Sequence, residues 1–138
     1  MRQEVGQLEV ATRGRGLIEI TNEVARWIAG TGIQTGLVTL LCRHTSASLL
    51  INENAAPAVQ RDMLRWLEQV APEGPHYEHD DEGPDDMPAH LKSALTGVNL
   101  SIPVSDGRML LGTWQGIYLA EHRTSPHQRR VVLHVMGE

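Results

Sequence analysis

Three histidines stand where the chain could bring them together. His44 closes the apolar run "GLVTLLCR" and opens "HTSAS". His79 lies within the acidic stretch "YEHDDEGPDDMPAH", residues 77–90, and His90 ends it. Three neutral imidazoles arriving from a strand end, a loop and a helix would make a transition-metal site. Asp86 precedes His90 by four residues. On a helix that spacing puts both side chains on one face, where the carboxylate can orient the imidazole or itself take a cation. The spacing between His79 and His90 is not diagnostic, and hydrogen-bonded histidines beside a solvated acidic loop give the same pattern.

The same stretch offers hard oxygen ligands. Asp80, Asp81, Asp85 and Asp86 suit magnesium better than zinc, although the prolines rule out a calcium-loop pattern. Magnesium would arrive with a phosphate-bearing substrate. In "HTSAS", His44 and Ser46 share a face if the segment is extended. There is no G-x-S-x-G elbow to make a nucleophile of the serine. The hydroxyls of Thr45, Ser46 and Ser48, with nearby backbone amides, fit a phosphate oxygen better. Glu53, in "INEN", caps the following helix or faces the same cleft as His44 as a base or ligand. "LGTWQG" places glycines at 112 and 116. It reads as a bulged strand with Thr113 and Gln115 on one face and Trp114 packed on the other. The basic segment "EHRTSPHQRR", residues 121–130, carries three arginines and two histidines. That cluster suits a small anion better than a long polymer.

These residues need elements to hold them. "QLEVAT" alternates like a half-buried strand, and "GRG" with "LIEIT" suggests its hairpin partner. Thr21 or Asn22 can open a short helix with Val24, Trp27 and Ile28 on one side, stopped at Gly30 and Gly32. "GLVTLLCR" is apolar on both faces, as a central strand is. Residues 54–70 form the clearest helix, whose stripe of Val59, Met63, Trp66, Leu67 and Val70 predicts core packing. "DMPAHLKSALTG" reads as a third helix, with Pro88 near its start and Gly97 past its end. Asp106-Gly107 turns a hairpin, and "GIYLAEHR" and "RVVLHVMG" read as a further strand pair. Six to eight strands that often follow one another directly, with about three helices, predict an α+β fold. A sheet of that size leaves faces or edges to cover, and oligomerisation is one way.

The 138 residues fit one compact domain, 1–138, with a core of its own. A net charge of −5 argues against nucleic acid and anionic membrane as partners. The single cysteine, Cys42, excludes an internal disulfide and fits a reducing compartment. With no signal core and no membrane-length apolar run, a soluble, cytoplasmic protein is expected.

In combination, "HTSASLLINENA", "HDDEGPDDMPAHLKSALTG", "DGRMLLGTWQGIYLAEHR" and "RRVV", in that order, resemble the YjbQ family, also called the secondary thiamine-phosphate synthase family. The resemblance spans the whole chain, and "LGTWQGI" is its most specific part. It implies a compact α+β domain with a large mixed, mostly antiparallel sheet, assembled as a homotrimer. It implies a metal ion or anion at His44, His79 and His90. It also puts Asp86, Thr113, Gln115 and Arg130 on motif positions. The activity it implies is thiamine-phosphate synthesis: a pyrimidine diphosphate joined to a thiazole phosphate with release of pyrophosphate. In that reading His44, Ser46, Glu53 and Asp86 are the catalytic candidates. Thr45, Thr113, Gln115 and Arg130 would bind phosphorylated substrate. Zinc at the histidines, Arg130, or magnesium with the substrate would draw off the leaving group. A metal-dependent hydrolase of a small phosphorylated molecule and a non-catalytic ligand-binding trimer are the alternatives. The family's loop commonly has "GN" and Ala where this chain has "GPDDMP".

Overall fold

The computed structural model describes all residues, Met1–Glu138. Its elements in chain order are β1 (Arg2–Ala11), β2 (Gly16–Glu19), α1 (Thr21–Thr31), β3 (Gly36–Cys42), β4 (Ala47–Glu53), α2 (Pro57–Val70), α3 (Asp86–Thr96), β5 (Asn99–Ser105), β6 (Arg108–Met109), β7 (Gln115–Glu121) and β8 (Gln128–Gly137). The class is α+β, as expected. The strands divide into a five-stranded sheet, β1-β8-β3-β5-β6, and a three-stranded sheet, β2-β7-β4. Every pairing is antiparallel.

Period-two alternation builds the core. The inward residues of the larger sheet include Val10, Val38, Leu40, Ile102, Val131, Leu133 and Val135. They form one buried cluster with Leu49, Ile117 and Leu119 of the smaller sheet and Val24 and Ile28 of α1. Cys42 belongs to this cluster, and burial pushes its thiol up from the ordinary value. The opposite face of the larger sheet is left open. Val5, Leu37, Leu41 and Met136 are exposed there, which explains a β3 sequence that is apolar on both sides.

Two expected hairpins do not form. β1 pairs with β8 and β2 with β7, so the "GRG" turn carries the chain between sheets. At Gly14 φ is +132°, and a Cβ there would press on the Thr124 carbonyl. Only glycine lets the crossing run so close to the β7–β8 connection. β7 and β8 likewise part into different sheets. The β5–β6 hairpin does form, with Asp106 and Gly107 both at positive φ, as a tight primed turn requires.

The helices start and stop nearly where expected. Thr21 does not cap α1. Its Oγ1 accepts the Ile117 N–H and donates to Glu19. Gly32, in the left-handed region, ends that helix. The α2 stripe departs from expectation: Leu67 alone is fully buried, while Trp66 and Val70 are 48% and 47% exposed. The smaller sheet is only three strands wide and α2 rides along its β2 side, so one flank of the stripe has nothing to pack on. α3 lies on β4, with Ser93 Oγ donating to the Ala47 carbonyl.

The far end of β8 is clamped. Glu138 O accepts the N–H groups of Gln34 and Thr35, and its own N–H bonds back to Thr35. A Cβ on Gly36 would collide with the Met136 carbonyl, and one on Gly137 with the Thr35 carbonyl.

Candidate functional site

α3 opens with Asp86 and carries His90 one turn later, so both reach the same side of the helix, as the four-residue spacing predicts. The loop before it brings His79 to meet them. Asp86 Oδ2 lies 3.2 Å from His79 Nε2 and 3.3 Å from His90 Nε2. One donor atom from each of the three residues lies within 4.8 Å of the others. Asp86 is only 2% exposed, and its Oδ2 has no hydrogen-bond partner. An orphaned, buried carboxylate oxygen is costly unless something cationic meets it. Ligands held 2.0–2.1 Å from a tetrahedral zinc stand about 3.3 Å apart, which matches both spacings. Two imidazole nitrogens and one carboxylate oxygen are the donor types that a zinc-type ion takes.

This arrangement is held by an arginine from another element. Arg123, just past β7, donates from Nη1 to Asp86 Oδ1 at 3.0 Å and from Nε to Asp85 Oδ2 at 2.9 Å. Its Nη2 donates to the Glu82 carbonyl. Asp85 also accepts the Thr124 N–H. Burial works against the Asp85 charge, yet the Arg123 and Thr124 hydrogen bonds hold its carboxyl well below the usual range. Arg123 thus straps the acidic loop down and turns Oδ2 of Asp86 toward the histidines. Asp81 approaches His79 Nδ1 at 3.3 Å from the solvent side. The four aspartates of the loop do not converge on one point, since Asp85 and Asp86 belong to the Arg123 pair and Asp80 is exposed.

His44 stands apart from this trio. Its Nε2 accepts the Arg130 backbone N–H at 2.8 Å. Burial, with the Arg129 guanidinium nearby, lowers its pKa. It does share a depression with His90, lined also by Thr45 and Ser93. Ser46 is directed elsewhere: its Oγ accepts from Arg129 Nη2 at 2.9 Å in a buried network. There Arg129 pairs with Glu121 through Nε at 2.8 Å and Nη2 at 2.5 Å, and Thr12 Oγ1 donates to the same carboxylate. The basic segment expected to receive an anion is therefore mostly spent inside the protein. Arg123 and Arg129 neutralise buried carboxylates, and of its arginines only Arg130 remains exposed.

The remaining motif positions lie at the other end of the molecule. Glu53 pairs with Gln115 in the β4–β7 register, six residues along β4 from Ala47. That places it about 20 Å from the His44 end. Glu53 caps the approach to α2, its Oε2 accepting the N–H groups of Ala55 and Ala56. Thr113 and Trp114 form a turn rather than a bulged strand, and Trp114 is 63% exposed instead of packed. Gln115 Oε1 accepts the Gly112 N–H and closes that turn. Within one chain, Glu53, Thr113 and Gln115 do not face the histidines.

A family model described as UPF0047 protein YjbQ-like matches residues 6–138. The chain belongs to the YjbQ/UPF0047 family. A UPF0047 protein of Synechocystis is 49% identical over 99% of this chain and 94% of its own. The UPF0047 protein YjbQ of Salmonella typhimurium is 46% identical over 95% and 96%. Among solved structures, a hypothetical protein from Aeropyrum pernix superposes with a TM-score of 0.90 at 32% identity, covering 98% of this chain and 99% of the other. A YjbQ/UPF0047 family protein from Clostridium acetobutylicum gives 0.87 at 37% identity, covering 94% and 98%.

Sequence reasoning missed Arg123 as the partner of Asp85 and Asp86. It sits 37 residues after Asp86 along the chain, and nothing local announces the pairing. It also missed His122, which is buried with its Nε2 2.8 Å from Ser48 Oγ. The signal available was its place between Glu121 and Arg123 at the end of an apolar strand, where alternation continues inward.

Proposed function

We propose that this chain is a metal-dependent enzyme acting on a small phosphorylated molecule, with His79, Asp86 and His90 holding a divalent cation, zinc by donor type. The observation that carries the reading is the buried Asp86 Oδ2, without a hydrogen-bond donor yet 3.2 and 3.3 Å from two imidazole nitrogens. When bound, the ion supplies positive charge for a departing phosphate oxygen or a polarised water. The chain's own residues do the rest. Arg123 fixes the carboxylate, Thr45 offers a hydroxyl beside the depression, and the neutral His44 lies within reach of a ligand there.

The first reaction we assign is the transfer implied by the resemblance. A thiazole nitrogen attacks the methylene carbon of a pyrimidine diphosphate, a C–N bond forms, and the C–O bonding pair leaves with pyrophosphate. Such a step needs positioning and charge stabilisation more than a base, which suits a site without a free catalytic carboxylate. Metal-assisted hydrolysis of a phosphoester is the second reading. It is favoured by a three-ligand set that leaves a coordination position for water. We further propose a cytoplasmic homotrimer, supported by the exposed Val5, Leu37, Leu41 and Met136 on an open sheet face. No helix is long and apolar enough to cross a membrane.

Metal content by mass spectrometry tests the reading. The wild type should carry about one ion per chain, lost in His79→Ala, His90→Ala and Asp86→Asn but kept in His44→Ala. Wild-type protein that takes up no zinc, manganese or magnesium would overturn it. With metal present, pyrophosphate plus a new C–N bond identifies transfer, and phosphate alone identifies hydrolysis. Ligand binding without turnover leaves a binding protein.

A further inference from the structure

His44 also lines a second concavity, of about 310 Å3, whose lining is entirely polar: Glu9, Arg43, His44, Gln128 and Arg130. We propose that this pocket is an anion subsite that holds the phosphate of a substrate whose other end reaches His79, Asp86 and His90. The proposal rests on the metal-site reading for the substrate's reactive end, but the phosphate pocket is argued from its own residues.

Four observations support it. First, neither guanidinium group here is closely paired. Arg15, Arg123, Arg129 and Lys92 each meet a carboxylate closely. Arg43 forms no ion pair, and Arg130 reaches only Glu9, at 3.9 Å. In a chain of net charge −5, two guanidinium groups facing one carboxylate leave this concavity with a local positive excess, and planar guanidinium forks match phosphate oxygens. Second, the backbone fixes the pocket's floor. Glu9 and Arg130 are directly opposed in the β1–β8 register, so both project to one face. Third, the Arg130 N–H donates to His44 Nε2. The neutral imidazole therefore carries its proton on Nδ1, leaving one donor for an anion. Fourth, His44 lines both this pocket and the depression that His90 lines. The two concavities meet at one side chain, as a site for an extended phosphorylated ligand requires.

Glu9 gives the pocket a second, opposite-signed prediction. Its carboxylate sits on the guanidinium that a phosphate would take. Binding must displace it, so Glu9→Gln should tighten an anion while Arg43→Ala and Arg130→Ala loosen it.

The test uses full-length protein and inorganic phosphate and pyrophosphate as probes, titrated calorimetrically at low ionic strength. It is run on metal-free and metal-loaded samples of the wild type and four variants. Loss of one charge-assisted contact should weaken binding by about tenfold in Arg43→Ala and in Arg130→Ala. Glu9→Gln should bind several-fold more tightly, and in metal-free samples His79→Ala should bind phosphate as the wild type does. Phosphate affinity unchanged in both arginine variants overturns the pocket, as does a wild type that binds neither probe. Phosphate binding abolished in His79→Ala places the anion on the metal and also overturns it. If the wild type binds no metal yet shows the expected arginine and Glu9 dependence, the metal reading fails while the pocket stands.

Discussion

Buried His122 should make the protein acid-labile well above the carboxylate range. Its Nε2 is 2.8 Å from Ser48 Oγ, whose hydroxyl also meets Thr96 at 2.5 Å. Burial, then the positive charge of Lys92, pushes its pKa from 6.5 down to about 4, with Glu121 opposing and Arg129 and Arg15 adding to the fall. A histidine depressed in the folded state stays neutral there while the unfolded chain takes up a proton. Between pH 6.5 and 4 the unfolded state binds more protons, so stability falls as pH falls through that window. Below the folded value both states are protonated and the loss is complete. At about 1.4 kcal/mol per pKa unit, the loss reaches about 2 kcal/mol at pH 5 and about 3 kcal/mol at pH 4. With a urea m-value of about 2 kcal/mol/M, that lowers the midpoint by about 1.5 M. The assay is urea unfolding of metal-free protein at one concentration from pH 7 to 4, wild type beside His122→Gln. His44 is shifted in the same direction and contributes to both curves, so the difference between the two slopes belongs to His122. Parallel slopes in wild type and variant would refute the reasoning.

Three further outcomes are expected. Arg123→Ala leaves Asp85 and Asp86 without their shared cation and should cost about 3–5 kcal/mol in unfolding free energy. It should also weaken metal binding about 10- to 100-fold, measured by competition with a chelating dye, and Arg123→Lys should recover only part because it cannot fork to both carboxylates. Leu67→Ala should cost about 2–4 kcal/mol in denaturant unfolding, whereas Trp66→Ala on the same helix should cost less than about 1 kcal/mol; equal costs would mean that the outer flank of α2 is covered by another copy. Cys42, buried and with its thiol pushed upward, should resist a thiol-exchange reagent in native buffer and react within the dead time in denaturant; fast native labelling would contradict its place in the core.

The periodicity of the chain carried the elements well and their partners poorly. α3 was legible to the residue because Pro88 and Gly97 bracket it and the Asp86–His90 spacing matches a helical turn. β3 was legible as an interior strand from its apolar run. The pairing of β1 with β8 and of β2 with β7 was not, because short turns suggest hairpins and sequence neighbours, while these partners lie at opposite ends of the chain. The trio's acid and two of the three predicted histidines came together. His44 did not join because the Arg130 backbone took its nitrogen. The segment 121–130 reads as an anion site because a sequence shows charge but not what already neutralises it. The bulged-strand pattern of "LGTWQG" predicts a packed Trp114, yet the segment is a turn that projects it into solvent.

The position of β8 sets the order in which the molecule can be made. It is the last strand in sequence, yet it lies between β1 and β3, and β1 has no other partner. A nascent chain that has emerged as far as β7 holds the complete small sheet, but its first ten-residue strand is still waiting for a template. At about 5–20 residues per second, that strand stays unpaired for on the order of ten seconds until β8 has been made. The larger sheet then closes in one late insertion, locked where Gly36 and Gly137 pass with no room for side chains. Anything that delays β8, such as a stall near residue 127, leaves two exposed strand edges in search of a mate, and aggregation during synthesis would be its first symptom.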